Sequence, residues 1–206
     1  MQYPEAEFPA LQAKHVQDAR LFASRRDLIA SLPLARGGTI AELGVARGDF
    51  SEFLLAQLEP KTLVAFDTFN MHEAASMWGK ETRELLQGMN HIDFYKQRFG
   101  DRGDQVVIEP GLSHLGLAKY PDRTFDMIYV DAAHDYASVQ RDADLAMMKI
   151  KEGGFLIFND YIMYDHLVGQ PYGVVQVVNQ IIVDNDLRVY GLALERQLFC
   201  DIAVRC

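Results

Sequence analysis

The sequence contains little cysteine and has more acidic than basic residues. Cys200 and Cys206 are its two cysteines, and they give neither the framework of a disulfide-rich protein nor the spacing of a zinc site. We interpret them as free thiols in a reducing cytoplasm. The 20 basic and 29 acidic residues give a formal net charge of −9. This charge argues against nucleic acid as a partner, because such binding depends on clustered lysine and arginine.

Long apolar stretches are also missing. No uninterrupted apolar run approaches the roughly 20 residues that a membrane-spanning helix needs, so we expect no membrane partner. The first residues, Met1–Glu7, are acidic and show no apolar segment of a signal peptide. With 206 residues, 49% hydrophobic and 24% charged, the chain fits one cytoplasmic globular domain over residues 1–206.

Short apolar runs alternate with helical patterns along most of the chain. After a helical lead-in over residues 1–36, the pattern predicts five strands separated by helices, and we expect Gly153-Gly154 to end the last of these helices. Two final apolar runs are joined by Glu195-Arg196 alone, which is too short for a helical crossover and predicts an antiparallel hairpin. The result is an α/β fold with a mostly parallel, seven-stranded sheet covered by helices on both faces. The predicted strands are Thr39–Leu43, Thr62–Phe66, Gln105–Glu109, Phe125–Val130, Phe155–Phe158, Leu187–Leu194 and Gln197–Val204.

A glycine-containing turn follows the first predicted strand. Its pattern is Glu42-x-Gly44-x-x-x-Gly48, and a helix with Asp49 as the expected N-cap comes next. Strand, glycine turn and helix together are typical of a pocket for a nucleotide-like ligand. The turn lacks the G-x-G pair and the third glycine of the dinucleotide fingerprint. Asp67 follows the second strand at the spacing expected of a carboxylate that binds ribose hydroxyls.

The turn and the terminal hairpin resemble those of class I S-adenosylmethionine-dependent methyltransferases. The resemblance implies a Rossmann-like three-layer sandwich with S-adenosylmethionine as cofactor, bound in part by Gly44 and Gly48. It also implies that Glu42 faces the methionine ammonium group and that Ser113 lies in the loop that contacts adenine. A serine that opens a helix is as often only its N-cap. Phe69 is a candidate for packing against the ribose or adenine, with a core or lid position as the alternative.

The densest chemical motif is Asp131-Ala132-Ala133-His134, together with Asn159-Asp160 after the following strand. If the two strands are neighbours, their ends lie ~5 Å apart. Asp131, Asn159 and Asp160 could then share a Mg²⁺ ion through oxygen ligands. His134 is a candidate general base, because an unperturbed pKa of ~6.5 suits proton removal near neutrality. Asp131 is a candidate for catalysis and for cofactor contact as well.

The same motif resembles a branch of small bacterial O-methyltransferases that includes macrocin-type sugar methyltransferases and cephalosporin hydroxylase-like proteins. Ala132 and Ala133 replace the glycine and second aspartate of that branch. Because Ala133 cannot act as a base, the proton acceptor is His134 or lies elsewhere. The branch pattern is kept at Asp131, His134, Gly153, Gly154 and Asp160.

These features predict methyl transfer from S-adenosylmethionine to an oxygen of a small polar acceptor, such as a sugar or natural-product hydroxyl. One alternative is a nicotinamide-dependent Rossmann oxidoreductase or epimerase, against which stand the missing third glycine and the absence of a Tyr-x-x-x-Lys pair. Another is a non-catalytic cofactor-binding protein, for which Ala133 argues. Phe69–Arg102 and Tyr161–Tyr172 are the predicted acceptor entrance. The sequence leaves the acceptor's identity open, and a homodimer is among the open assemblies.

Overall fold

Eight strands form the central sheet of the computed structural model, which describes residues 8–206. The prediction about a signal peptide falls on residues 1–7 and lies outside the described part. The strands are β1 (Arg20–Phe22), β2 (Thr39–Leu43), β3 (Thr62–Asp67), β4 (Val106–Pro110), β5 (Phe125–Val130), β6 (Ile150–Phe158), β7 (Arg188–Leu194) and β8 (Cys200–Arg205). The helices are α1 (Ala13–Val16), α2 (Arg25–Ala30), α3 (Asp49–Leu58), α4 (Thr82–Leu85), α5 (His91–Phe99), α6 (Ser113–Leu117), α7 (Tyr136–Lys149) and α8 (Val174–Asp184).

The strand order is β1-β7-β8-β6-β5-β2-β3-β4. β8 runs antiparallel to both of its neighbours, and all other neighbouring pairs are parallel. This arrangement confirms the predicted α/β fold with its antiparallel terminal hairpin. The carboxyl ends of β2, β3, β5 and β6 therefore lie along one edge of the sheet, where ligands bind in open α/β folds.

Alternate strand residues bury into two separate cores, one on each face of the sheet. On one face, Val139 of α7 and Val178 of α8 pack in a cluster with Ile128 of β5. On the other face, Leu54 of α3 packs in a cluster with Met127, the preceding residue of β5. Helices thus cover both faces, as the continuous apolar strands predict. Within residues 8–206, no helix is both long enough and apolar enough to cross a membrane.

The N-terminal segment differs from the predicted helical lead-in. Between α1 and α2 it contributes β1, which pairs in parallel with β7 and places Leu21 opposite Leu192. The sheet of the described residues therefore has eight strands rather than seven. A strand of three residues is too short for an alternating pattern to show in the sequence, so its partner strand decides its conformation.

Two predicted helix boundaries were wrong. α7 ends at Lys149, and β6 begins at Ile150, so Gly153-Gly154 lies inside the strand. Gly153 has a φ of +78°, and the pairing of β6 with β5 shifts register around it, which identifies a bulge. At the start of α3, Gly48 rather than Asp49 is the N-cap residue. At the start of α3 the left-handed glycine itself is the boundary residue, whereas Gly153 forms a bulge three residues inside the strand.

Candidate functional site

A cleft of about 1340 Å³ opens at the carboxyl ends of β2, β3, β5 and β6. Two small antiparallel ribbons contribute to its walls, one formed by Ser76–Met77 and Lys80–Glu81 and the other by Tyr164–Asp165 and Gln170–Pro171. All of the predicted site residues except Gly48 and Phe69 line the cleft. Those that line it are Glu42, Gly44, Asp67, Ser113, Asp131, His134, Asn159 and Asp160.

Both glycines of the turn after β2 are required sterically, for different reasons. Gly44 has a φ of +82°, and a Cβ there would lie 2.0 Å from the backbone carbonyl oxygen of Asp131. Gly48 has a φ of +78°, and a Cβ there would lie 2.5 Å from the ring of Phe99 in α5. Gly44 therefore lets the turn pack on the end of β5 beside the cleft. Gly48 makes room for a side chain behind the turn, which is a packing role rather than the predicted cofactor contact.

Asp67, at the end of β3, fixes the shape of the glycine turn. Its Oδ2 accepts hydrogen bonds from the backbone N–H groups of Val45 at 2.9 Å and Ala46 at 3.2 Å. Its Oδ1 accepts from the N–H of Phe69 at 2.7 Å. A carboxylate offers about four lone-pair positions, so Asp67 keeps acceptor capacity toward the cleft. The predicted ribose contact is compatible with this geometry and stays a prediction.

Phe69 and Ser113, two residues predicted to contact the cofactor, lie in different surroundings. Phe69 is 4% exposed and packs against the rings of His91 and Tyr95, with centroids 5.0 Å and 5.5 Å away. It belongs to the core because its backbone turns inward where Asp67 holds its N–H. Ser113 lines the cleft as the first residue of α6, and its hydroxyl donates to Asp142 Oδ1 at 2.6 Å.

Glu42 is a buried carboxyl group at the end of β2. Its Oε2 accepts a 2.5 Å hydrogen bond from the hydroxyl of Ser51, which in turn accepts one from the hydroxyl of Tyr95 at 2.9 Å. Burial raises the pKa of Glu42 from 4.5 to about 8, although the Ser51 hydrogen bond and the charge of Arg25 oppose the shift. The carboxyl group is therefore poised between its neutral and charged forms near neutral pH.

Three acid–base side chains meet at the ends of β5 and β6. Nε2 of His134 lies 3.7 Å from Oδ1 of Asp131 and 3.5 Å from Oδ2 of Asp160. This nitrogen is buried and has no hydrogen-bond partner in the described part of the chain. The imidazole stacks on the ring of Tyr172, with centroids 4.5 Å apart and an interplanar angle of 16°. The cluster is thus held in place by packing while its central nitrogen stays unsatisfied.

Burial shifts the protonation of all three groups toward their neutral forms. It lowers the pKa of His134 below its ordinary value. It raises the pKa of Asp160 to about 7 and the pKa of Asp131 well above the ordinary range, against the opposing charge of Arg25. The charge of Asp160 also raises the pKa of Asp131, so the titrations of the two carboxyl groups are coupled.

The arrangement of side chains does not support the predicted magnesium site. Nδ2 of Asn159 donates to Oδ1 of Asp201 at 3.1 Å, so the amide is engaged behind the cleft. The imidazole of His134 lies between the two carboxyl groups that were expected to share the ion. Across residues 8–206, no group of three or more His, Cys, Asp or Glu side chains is arranged to hold a metal. Asp131 and Asp160 therefore form an acid–base cluster with His134 instead.

A family model described as a methyltransferase domain matches residues 41–161, which is more than half of the chain. The matched region contains the glycine turn and the acid–base cluster. The chain belongs to the class I S-adenosylmethionine-dependent methyltransferases. The family predicted from the glycine turn is thereby confirmed at this level. A search of curated proteins gave no match.

Solved structures share the fold of this methyltransferase at low sequence identity. An S-adenosylmethionine-dependent methyltransferase from Aquifex aeolicus has a TM-score of 0.57 and 15% identity, over 89% of this chain and 90% of that chain. An rRNA methylase from Streptococcus thermophilus has a TM-score of 0.56 and 12% identity, over 87% and 92%. An O-methyltransferase family protein from Burkholderia thailandensis has a TM-score of 0.59 and 14% identity, over 87% and 54%. Because such distant neighbours show the fold alone, they leave the acceptor open.

The cleft of the methyltransferase fits the charge and shape of its cofactor. S-adenosylmethionine carries a sulfonium and an ammonium group, and the ionised forms of Glu42 and Asp131 in the cleft wall are electrostatically suited to both. Gly44 removes the side chain that would fill the turn at this edge. Asp67 offers the remaining acceptor position at the end of β3. These residues would hold the cofactor, and its bound form supplies an electrophilic methyl group with a good leaving group.

A buried polar network behind the cleft was missed at the sequence level. Arg25 of α2 donates from Nη1 to the hydroxyl of Tyr129 at 3.1 Å, and that hydroxyl donates to Oδ2 of Asp201 at 2.5 Å. The backbone N–H of Arg25 donates to Oε1 of Glu195 at 2.5 Å. Among these residues, only Asp201 could have been noticed in the sequence, because it is an acidic residue inside an apolar strand pattern. The other members come from distant elements that only the fold brings together.

Proposed function

We propose that this methyltransferase methylates a hydroxyl oxygen of a small polar acceptor, such as a sugar or a natural-product hydroxyl. The observation that carries the proposal is the unsatisfied Nε2 of His134 between Asp131 and Asp160 in the cleft wall. A hydroxyl group is a weak nucleophile and must lose its proton as the new bond to carbon forms. A positioned acid–base cluster is the feature that this chemistry requires of the protein.

The protonation state of the cluster suits removal of a hydroxyl proton at neutral pH. Because burial lowers the pKa of His134, the imidazole is neutral and able to accept a proton. Asp131 and Asp160 lie 3.7 Å and 3.5 Å from the imidazole, so in their ionised forms they stabilise the resulting imidazolium by charge. The same carboxyl groups, with raised pKa values, can then share that proton.

Each residue of the cluster has a separate role in this proposal. His134 takes the hydroxyl proton while the acceptor oxygen forms its bond to the methyl carbon and the bond from that carbon to sulfur breaks. Asp131 positions the imidazole and is itself held beside the Arg25 guanidinium at 3.8 Å. Tyr172 fixes the plane of the imidazole through stacking. The rate then depends on alignment of donor and acceptor and on one proton transfer.

The proposal is tested by methyl transfer to matched acceptors. Purified protein is incubated with deuteromethyl-labelled S-adenosylmethionine and a panel of sugars and phenols, each with an amine analogue, and products are identified by mass spectrometry. We expect labelled methyl ethers. Methylation of the amines alone, or tight cofactor binding without turnover on any acceptor, would contradict the proposal.

Variants distinguish a role of His134 as general base from a structural role. His134→Gln should lower kcat by roughly 10²- to 10⁴-fold, the usual contribution of a general base, and should remove the acidic limb of the pH–rate profile. Its affinity for S-adenosylmethionine should stay within about twofold of the wild type, since the residue is proposed to act on the acceptor. Glu152→Gln, at the exposed start of β6, is the matched control and should leave both quantities unchanged. A His134→Gln variant with wild-type kcat would remove the base from the mechanism.

A further inference from the structure

Arg47 lines the cleft but has no role in the proposed methyl transfer. It lies in the glycine turn between Ala46 and Gly48, which have φ values of +44° and +78°. Its side chain is 33% exposed and contributes to the wall of the cleft. Glu42, at the end of the strand that leads into this turn, lines the cleft as well. A guanidinium group and a carboxyl group are thus carried on one short segment around Gly44.

Among the described residues, the guanidinium group of Arg47 has loose contacts with Asp49 and the ring of Phe94 and makes no hydrogen bond. Its Nε is buried and makes no hydrogen bond within the described residues. Its Nη1 is 3.7 Å from Oδ2 of Asp49, beyond hydrogen-bond distance. Asp49 is instead bound by Nη1 of Arg98 at 2.6 Å, and Arg98 also binds Glu52 at 2.6 Å. Because part of the side chain is exposed, a ligand in the cleft can supply an acceptor to this guanidinium group.

The rest of the cleft wall is mostly acidic and is electrostatically unfavourable for a ligand carboxylate. Among the described residues, nine aspartate and glutamate side chains but three arginines line it. Of these arginines, Arg25 is engaged by Tyr129 and Asp131, and Arg141 donates to the hydroxyl of Ser138. Carboxyl groups therefore outnumber arginines in the cleft wall, and Arg47 is the arginine that the glycine turn itself places there.

We propose that Arg47 binds the carboxylate of the methionine moiety of S-adenosylmethionine. The α-amino acid end of the cofactor carries an ammonium and a carboxylate group on one carbon, and the turn presents Glu42 and Arg47 as complementary charges. An arginine binds a carboxylate with two parallel hydrogen bonds, which gives direction as well as charge. The inference depends on the cofactor alone and is independent of the acceptor.

Decarboxylated S-adenosylmethionine provides a direct test, because it lacks only the group in question. Calorimetric titration of the wild type should show tighter binding of S-adenosylmethionine than of the decarboxylated analogue, by tenfold or more. The analogue carries more net positive charge, so the acidic cleft alone would give the opposite preference. Equal or tighter binding of the analogue by the wild type would overturn the proposal.

The variants assign the preference to Arg47. Arg47→Met should weaken binding of S-adenosylmethionine at least tenfold and leave binding of the analogue within twofold, which removes the preference. Arg47→Lys should keep part of it, since a lysine retains the charge without the paired geometry. Arg83→Met, on the exposed side of α4, is the control and should bind both compounds like the wild type. An equal loss for both compounds in Arg47→Met would show a structural role for Arg47 and refute carboxylate binding. Circular dichroism of each variant verifies folding, and no acceptor is needed, so a failure of the proposed O-methylation leaves this result readable.

Discussion

Replacing Glu42 with glutamine is expected to remove a pH-dependent loss of stability that the wild type shows in mildly alkaline solution. Glu42 is 1% exposed, and burial moves its pKa from 4.5 to about 8. An acid with a higher pKa in the folded than in the unfolded chain binds its proton more tightly when folded. Folding is therefore favoured most at low pH, and stability falls as the pH rises from the unfolded toward the folded pKa.

The size of the effect follows from the two pKa values. Each unit of pKa difference corresponds to about 1.4 kcal/mol. For a group that moves from 4.5 to about 8, the loss is about 2 kcal/mol at pH 6 and about 5 kcal/mol at pH 9. Between these two conditions, the wild type should lose about 3 kcal/mol more than Glu42→Gln. The glutamine keeps an oxygen acceptor for Ser51, and the cost of its added N–H₂ group does not vary with pH.

Urea unfolding at pH 6, 7.5 and 9 measures this difference. The free energies of unfolding of wild type and Glu42→Gln should diverge as the pH rises, with the variant gaining relative stability. Glu152→Gln changes an exposed carboxyl group at the other end of the sheet and should follow the wild type. Other buried carboxyl groups are common to all three proteins, so their titration cancels in the comparison except for Asp131, whose pKa the charge of Glu42 also raises. Parallel pH profiles for wild type and Glu42→Gln would refute the argument that burial holds Glu42 near neutrality.

Three further predictions concern the glycine turn and the rim of the cleft. Asp67→Ala should weaken binding of S-adenosylmethionine by roughly 1.5–3 kcal/mol, the scale of lost charge-assisted hydrogen bonds. Calorimetry tests this with Asp104→Asn, at an exposed position, as the control. An unchanged affinity in Asp67→Ala would contradict the prediction. Gly44→Ala should lower the free energy of unfolding by roughly 3 kcal/mol or more, because its Cβ would overlap the carbonyl oxygen of Asp131. Gly79 has a φ of +75° and open space around it, so Gly79→Ala should lower the free energy of unfolding by only about 1–2 kcal/mol. Backbone amides of the ribbons at 76–81 and 164–171 should exchange with deuterium faster than those of β2 and β5, and equal protection without ligand would exclude a mobile entrance.

The sequence was most informative where short apolar runs alternate with helical patterns. Such runs have few conformational options, because they must bury both faces of a parallel sheet. The bounds of Thr39–Leu43 and Phe125–Val130 were predicted from this pattern and agree with the structure. The short strand Arg20–Phe22 and the bulge at Gly153 were not, since each depends on a partner strand. A partner distant in sequence leaves no local pattern to find.

The site shows the same division between local and tertiary information. By itself, the sequence determined where the central strands end along the chain and, through this, which residues reach the carboxyl edge of the sheet. Asp67, Asp131, His134 and Asp160 could be placed there because each directly follows a strand or begins the next helix. The glycine turn also identified the family, since its backbone conformation is encoded in residue type.

Only the tertiary structure decided what those residues do to one another. Burial, which depends on the whole fold, raises the pKa of Glu42 and lowers the pKa of His134. Packing directed Phe69 into the core and turned the amide of Asn159 toward Asp201 rather than toward a metal. It also left Nε of Arg47 without a hydrogen-bond partner among the described residues and Nη1 at 3.7 Å from Asp49, which Arg98 of α5 binds at 2.6 Å. Desolvation and competition for partners act through space, so they become visible only once the chain has folded.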